Sequence, residues 1–123
     1  MDELQGLHLT GDLYRCGCDR EYLVDPERLR AKCVAFSREA GLEVVGETFY
    51  RFGGAGGVTG SVLLAESHIA IHTWPETASV ALDVYVCNYA QENSQRAEAL
   101  FASVVSLLQP AEQITNRLLR GKP

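Results

Sequence analysis

The chain has 123 residues, 46% of them hydrophobic, a length and apolar content that suit one domain around one core. Its formal net charge of −5 comes from 16 acidic against 11 basic residues with no Lys/Arg block, which argues against a nucleic-acid or anionic-membrane surface and favours a small or cationic ligand. The opening MDELQGLHLTGDLYRC is acidic and lacks a long apolar run, so neither a secretory signal nor a transmembrane span is expected. A cytoplasmic location follows, and Cys16, Cys18, Cys33 and Cys87 then read as reduced thiols rather than a disulfide framework.

Taken in chain order, GLHLTGDLYRC (6–16) reads as a strand with a bend at Gly11. DPERLRAKCVAFSREAG is a helix: Asp25 caps it, Pro26 suits its first turn, and Gly41 stops it. Leu29, Cys33, Val34 and Phe36 fall mostly on one face of that helix, which is its core side. LEVVGETFYRF (42–52) predicts a strand, followed by GGAGG and three β-rich runs, VTGSVLLA, SHIAIHTW and SVALDVYVC. A second helix is expected from about Ser94 to Leu108, ending at Pro110, and a short last strand in QITNRLL. The fold class is therefore α+β: a mainly antiparallel sheet with two helices on one face. The other face needs a cover, for which a homodimer is the simplest.

The polar groups gather in LLAESHIAIHTWPE (63–76), where an apolar strand carries two histidines and a serine preceded by a glutamate. In an extended strand His68, Ala70, His72 and Trp74 share one face, opposite Ile69 and Ile71. Cys87 lies on the Asp83 and Tyr85 side of its strand, among polar neighbours, which makes it a candidate reactive thiol beside the general expectation of an inert one. His8 reads as a half-exposed strand residue. GGAGGVTG lacks the Lys-Ser/Thr ending of a phosphate loop and does not open onto a helix, so it reads as a turn whose glycines let the backbone approach a ligand. CGC (16–18) has no second Cys/His pair at zinc spacing, and no metal is expected. The two lysines, Lys32 in the first helix and Lys122 near the end, are poor Schiff-base residues for pyridoxal phosphate (PLP), so no PLP is expected either.

ESHIAIHTWPE, then DVYVC, with GVTG upstream and LYRCGCD near the start, resembles the short prokaryotic S-adenosylmethionine decarboxylase proenzymes, in matching order from about Gly6 to Asn88. The resemblance implies self-cleavage between Glu66 and Ser67 into a β chain, 1–66, and an α chain, 67–123, with Ser67 converted into a covalent pyruvoyl cofactor. The serine hydroxyl attacks the preceding carbonyl to give an ester, and loss of the serine α-proton then expels the upstream chain. The family pattern makes His72 the base of that elimination and Thr59, where a serine is common, its processing support. A substrate amine condenses with the pyruvoyl ketone as a Schiff base, CO₂ leaves, and Cys87 returns a proton to the α-carbon. Phe52 corresponds to an aromatic platform for adenine, Glu76 to a carboxylate for the ribose hydroxyls, and Trp74 lines the same place.

The implied function is conversion of S-adenosylmethionine to its decarboxylated form, the aminopropyl donor of spermidine biosynthesis. The turn RFGGAGGVTG lacks the family's common proline, Ser79 replaces a frequent aromatic, and Asn88 follows the cysteine where glycine is usual. These departures leave the pyruvoyl machinery intact and keep decarboxylation of ornithine or arginine as an alternative. A cysteine hydrolase using Cys87 and His72 and a non-catalytic ligand-binding relative are the other classes.

Overall fold

A computed structural model describes residues 6–88 and 91–121. Its elements run β1 (Gly6–Cys16), α1 (Glu21–Val24), α2 (Pro26–Glu39), β2 (Val44–Arg51), β3 (Val58–Leu64), β4 (Ser67–Trp74), β5 (Ser79–Cys87), α3 (Ser94–Leu108) and β6 (Pro110–Arg120). The six strands form one sheet in the order β2-β3-β4-β5-β1-β6, and every neighbouring pair is antiparallel. Hairpins join β2 through β5, whereas β1 enters between β5 and β6 from the far end of the sequence.

The strand alternation sorts the sheet into two faces. Val62, Ile69, Ile71, Val80, Leu82, Val84, Val86, Leu7 and Leu13 are buried against the helices. From the helix side Leu29, Cys33 and Val34 of α2 and Ala97, Leu100, Val104 and Leu108 of α3 complete the core. The Asp25 carboxylate accepts from the Glu27 and Arg28 amides at 2.9 and 3.4 Å, and Pro26 occupies the first turn. Gly41 follows the helix with φ +87°, the left-handed conformation that glycine adopts without a Cβ clash.

Three expectations need correction. The short helix α1 lies in the segment between β1 and α2, and nothing in its four residues carries a helical period long enough to read. The last strand is no short piece: β6 spans 11 residues and pairs along the length of β1. Its polar, exposed sequence hides it from pattern reading because it is an edge strand with one neighbour. Ladder pairing also continues through Gly11 on both sides, to Leu82 and to Thr115, so this glycine does not interrupt β1. Its missing side chain makes room for Phe101 of α3, whose ring would stand 2.8 Å from a Cβ there.

The opposite face carries no helix. Register places Tyr50, Thr59, His72, Ala81, Asp12 and Ile114 in one row across the sheet, and Leu63, His68, Tyr85, His8 and Leu118 in another. Tyr50, Leu63, Trp74, Ile114 and Leu118 are all exposed, from 45% to 60%. No helix among the described residues is long and apolar enough to cross a membrane.

Candidate active site

The turn joining β3 to β4 consists of Ala65 and Glu66, between the paired residues Leu64 and Ser67. Glu66 has φ +59°. A side chain with a Cβ is disfavoured there by about 1–2 kcal/mol, so the Glu66–Ser67 peptide sits at a locally strained point. Ser67 itself is 8% exposed. Its Oγ accepts a hydrogen bond from the Cys87 amide at 3.3 Å, which fixes the hydroxyl beside the end of β5. The Cys87 carbonyl in turn accepts from the buried Asn93 side chain at 2.8 Å, tying this backbone to the start of α3.

Glu66 and Ser67 line a cavity of about 400 Å³ with His8, His68, Tyr85 and Arg120. The His68 ring stacks on Tyr85 at 5.9 Å, and His8 meets the same ring edge-on at 6.1 Å. Burial, then the neighbouring His8, lowers the pKa of His68 from the ordinary imidazole value, with Asp83 opposing. His8, read from the sequence as a plain strand residue, is therefore a wall of this cavity. Tyr85 and Arg120 were not singled out at all. The one signal available was that His8, His68 and Tyr85 sit at same-face positions of their strands; which strands are neighbours is a tertiary fact.

A second cavity, of about 370 Å³, gathers Phe52, Gly56, Gly57, Thr59, His72, Thr73, Trp74 and Glu76. Thr59 and His72 are directly opposite each other across β3 and β4, with Oγ1 and Nδ1 3.2 Å apart. His72 and Trp74 are next-but-one neighbours on the same face, their rings 6.3 Å apart. Phe52 packs edge-on against Tyr50 at 5.1 Å and is 50% exposed. The glycine segment is a turn between β2 and β3, closed by the Phe52 amide donating to the Gly57 carbonyl at 2.9 Å. A Cβ at Gly57 would stand 2.0 Å from the Thr73 carbonyl oxygen, so only glycine lets this turn close onto β4. The Thr73 hydroxyl accepts from the Val58 amide and donates to the Leu23 carbonyl, at 2.8 and 2.7 Å. That couples the wall of the cavity to α1.

The sequence-derived residues thus fall into two groups. Phe52, Thr59, His72, Trp74 and Glu76 meet at one end of the open face; Glu66, Ser67 and Cys87 gather at the other end of β4, with Cys87 on the open face and the Ser67 side chain on the helix side. Five residues of extended β4 separate Ser67 from His72, about 16 Å at 3.3 Å per residue, and their side chains alternate to opposite faces. Cys87 lies six residues beyond Ala81, the partner of His72, about 20 Å along β5. A Cys87–His72 dyad does not form within one chain.

The other thiols behave as structural groups. Burial, then the Cys18 charge, pushes Cys16 up to about 11, and burial pushes Cys33 up to about 12. Among the described residues no group of three or more His, Cys, Asp or Glu is placed to hold a metal ion. Lys32 is on the exposed side of α2, and Lys122 lies outside the described residues.

The S-adenosylmethionine decarboxylase family matches residues 7–121. The S-adenosylmethionine decarboxylase proenzyme of Thermoplasma acidophilum is 34% identical over 116 residues, covering 94% of this chain and 83% of the relative. That of Caldicellulosiruptor saccharolyticus is 34% identical over 116 residues, 94% of this chain and 88% of the relative. The crystal structure of the adenosylmethionine decarboxylase from Aquifex aeolicus superposes with a TM-score of 0.85 at 32% identity, covering 97% of this chain and 92% of the other. With its motif order, its six-stranded sheet and these relatives in agreement, the chain belongs to the S-adenosylmethionine decarboxylase family.

Proposed function

We propose that the protein is a self-processing proenzyme that cleaves itself at Glu66–Ser67 and then decarboxylates S-adenosylmethionine to supply polyamine synthesis. The observation that carries this reading is the division of these residues into two half-sites at the two ends of β4, one end holding the strained Glu66–Ser67 turn and Cys87, the other Thr59, His72 and the aromatic and acidic residues. A single chain keeps these about 16 Å apart. Two copies packed open face to open face about a two-fold axis bring the first half-site of one against the second half-site of its partner, forming two equivalent composite sites. The exposed Tyr50, Leu63, Trp74, Ile114 and Leu118 supply apolar surface for that contact.

The residues around Ser67 suit a pyruvoyl group. Ser67 is buried, its hydroxyl is held by the Cys87 amide, and the left-handed Glu66 places the bond to be broken next to a strained residue. The ketone would supply an electron sink for the electron pair left on the substrate α-carbon when CO₂ departs. Cys87 stands beside Ser67 and donates the proton that replaces CO₂. The partner's half-site brings the His72 ring for removal of the Ser67 α-proton. With Nδ1–H donating to the Thr59 hydroxyl, His72 Nε2 keeps a free lone pair for that task. Phe52 presents an exposed ring for the adenine, Glu76 a carboxylate for the ribose diol, and Trp74 a wall for the same nucleoside.

Mass spectrometry of the purified protein tests the maturation: two chains, 1–66 and 67–123, are expected, the second beginning with a pyruvoyl group, while Ser67→Ala stays whole. CO₂ release from S-adenosylmethionine, ornithine and arginine tests the substrate. Turnover of either amino acid with none of S-adenosylmethionine overturns the substrate and leaves the maturation standing.

A further inference from the structure

Among the described residues, the buried side-chain polar atom without a hydrogen-bond partner is His8 Nε2. Its environment explains what it lacks. The Arg120 Nη1 lies 3.2 Å from His8 Nδ1, and a guanidinium has donors only, so Nδ1 accepts and a neutral His8 carries its proton on Nε2. The nearest carboxylate oxygen, on Asp83, is 3.8 Å away, beyond hydrogen-bond range. His8 Nε2 is thus buried on the Asp83 side, while Nδ1 holds a guanidinium that lines one cavity with Glu66 and Ser67. Tyr85 holds the guanidinium in place, with Arg120 Cζ 5.8 Å from the centre of its ring.

We infer that Arg120, held in place by His8 Nδ1 and the Tyr85 ring, is the anion-receiving group of the self-processing reaction, stabilising the Glu66 α-carboxylate as it leaves Ser67. The inference rests on cleavage at Glu66–Ser67. In the first step Ser67 Oγ bonds to the Glu66 carbonyl carbon and the peptide C–N bond breaks, giving an ester and a free amine. In the second step a base removes the Ser67 α-proton, the Cβ–Oγ bond breaks, and its electron pair leaves on the Glu66 carboxylate. The dehydroalanine left behind tautomerises, takes up water and releases ammonia. The first step passes through a transient oxyanion on the Glu66 carbonyl, but only the second leaves a lasting anion, and it does so on a residue that already bears a side-chain carboxylate. Without a cation two negative charges would gather on Glu66. Arg120 is the permanently charged cation lining the cavity, and His8 Nδ1 fixes its guanidinium there.

The substrate carboxylate is the other anion that could enter. A cation bound to it would hold charge at the group whose charge must be dispersed as CO₂ departs, favouring the ground state over the transition state. The leaving carboxylate has no such conflict, because its charge grows along the reaction.

Cell-free synthesis of the full chain, sampled over time on denaturing gels with and without hydroxylamine, separates the two steps. Arg120→Gln should mature about a hundredfold more slowly and accumulate an ester that hydroxylamine cuts after Glu66. Arg120→Lys should retain most of the rate, and free guanidinium should accelerate Arg120→Ala, a rescue that a purely structural role would not give. Maturation of Arg120→Gln at the wild-type rate, or slowing without any ester in a variant that melts like the wild type, overturns the inference. A raised KM for S-adenosylmethionine with normal maturation also overturns it and assigns Arg120 to substrate. Failure of the wild type itself to cleave instead removes the underlying reading.

Discussion

Co-expression of two inactive variants is the sharpest test of the composite site. Ser67→Ala removes the nucleophile from one half-site and His72→Ala the base from the other. Within a chain these residues stand about 16 Å apart on a rigid strand, against a working distance for proton transfer of about 3 Å. No side-chain rotation closes that gap, because β4 is paired on both sides, to β3 and β5. Each variant alone should therefore remain uncut. In a mixed dimer, the His72→Ala chain contributes an intact Ser67 that faces the intact His72 of the Ser67→Ala chain. Random pairing of equal amounts makes about half of all dimers mixed, so about half of the His72→Ala chains should be cut and none of the Ser67→Ala chains. Distinct tags on the two variants let intact-mass analysis count each. If mixed dimers are recovered through both tags and neither chain is cut, or if His72→Ala matures alone at the wild-type rate, the reasoning from strand geometry fails.

Cys87→Ala should still cleave, because its amide keeps the hydrogen bond to Ser67, yet it should turn over slowly; loss of self-cleavage with unchanged folding would move Cys87 into processing. Phe52→Ala should leave maturation alone and raise the KM for S-adenosylmethionine about tenfold or more, given about 1–3 kcal/mol for a base stacked on a ring; an unchanged KM would remove Phe52 from the adenine site. Gly57→Ala should destabilise the fold by about 1–3 kcal/mol in denaturant unfolding, since its Cβ would meet the Thr73 carbonyl. A variant as stable as the wild type would show that the turn can relax. His68, whose pKa is lowered by burial and by His8, takes its proton less readily in the folded chain than in the unfolded one. The stability present above about pH 6.5 should decline as the pH falls through that value toward the lowered folded pKa. His68→Gln should flatten this decline in Tm between about pH 7.5 and 5.5, and an unaltered slope would show that His68 is not its source.

Elements whose side-chain pattern meets one strong boundary condition are written in the sequence. The α2 helix is legible from Asp25, Pro26 and Gly41 because capping is local. So are β3, β4 and β5, because each has one face against the helices and must alternate. The shared face of His68, His72 and Trp74 in β4 was legible for the same reason, as was the placing of Cys87 on the Asp83 and Tyr85 side. The family motif added the residues that carry chemistry. The partnerships, by contrast, depend on contacts between distant parts of the chain. β6 is exposed and polar, and nothing within its own residues says that it pairs along β1. That pairing brings Arg120 to His8, 112 residues away in sequence, and the insertion of β1 beside β5 sets both against Tyr85 and the Glu66–Ser67 turn. Local propensity cannot encode such neighbours, because no short-range interaction distinguishes one edge of the growing sheet from the other. The choice is made when β1 and β6 close on the sheet, where burial of Leu7 and Leu13 beneath α3 outweighs the loop-closure entropy of joining the two ends of the chain.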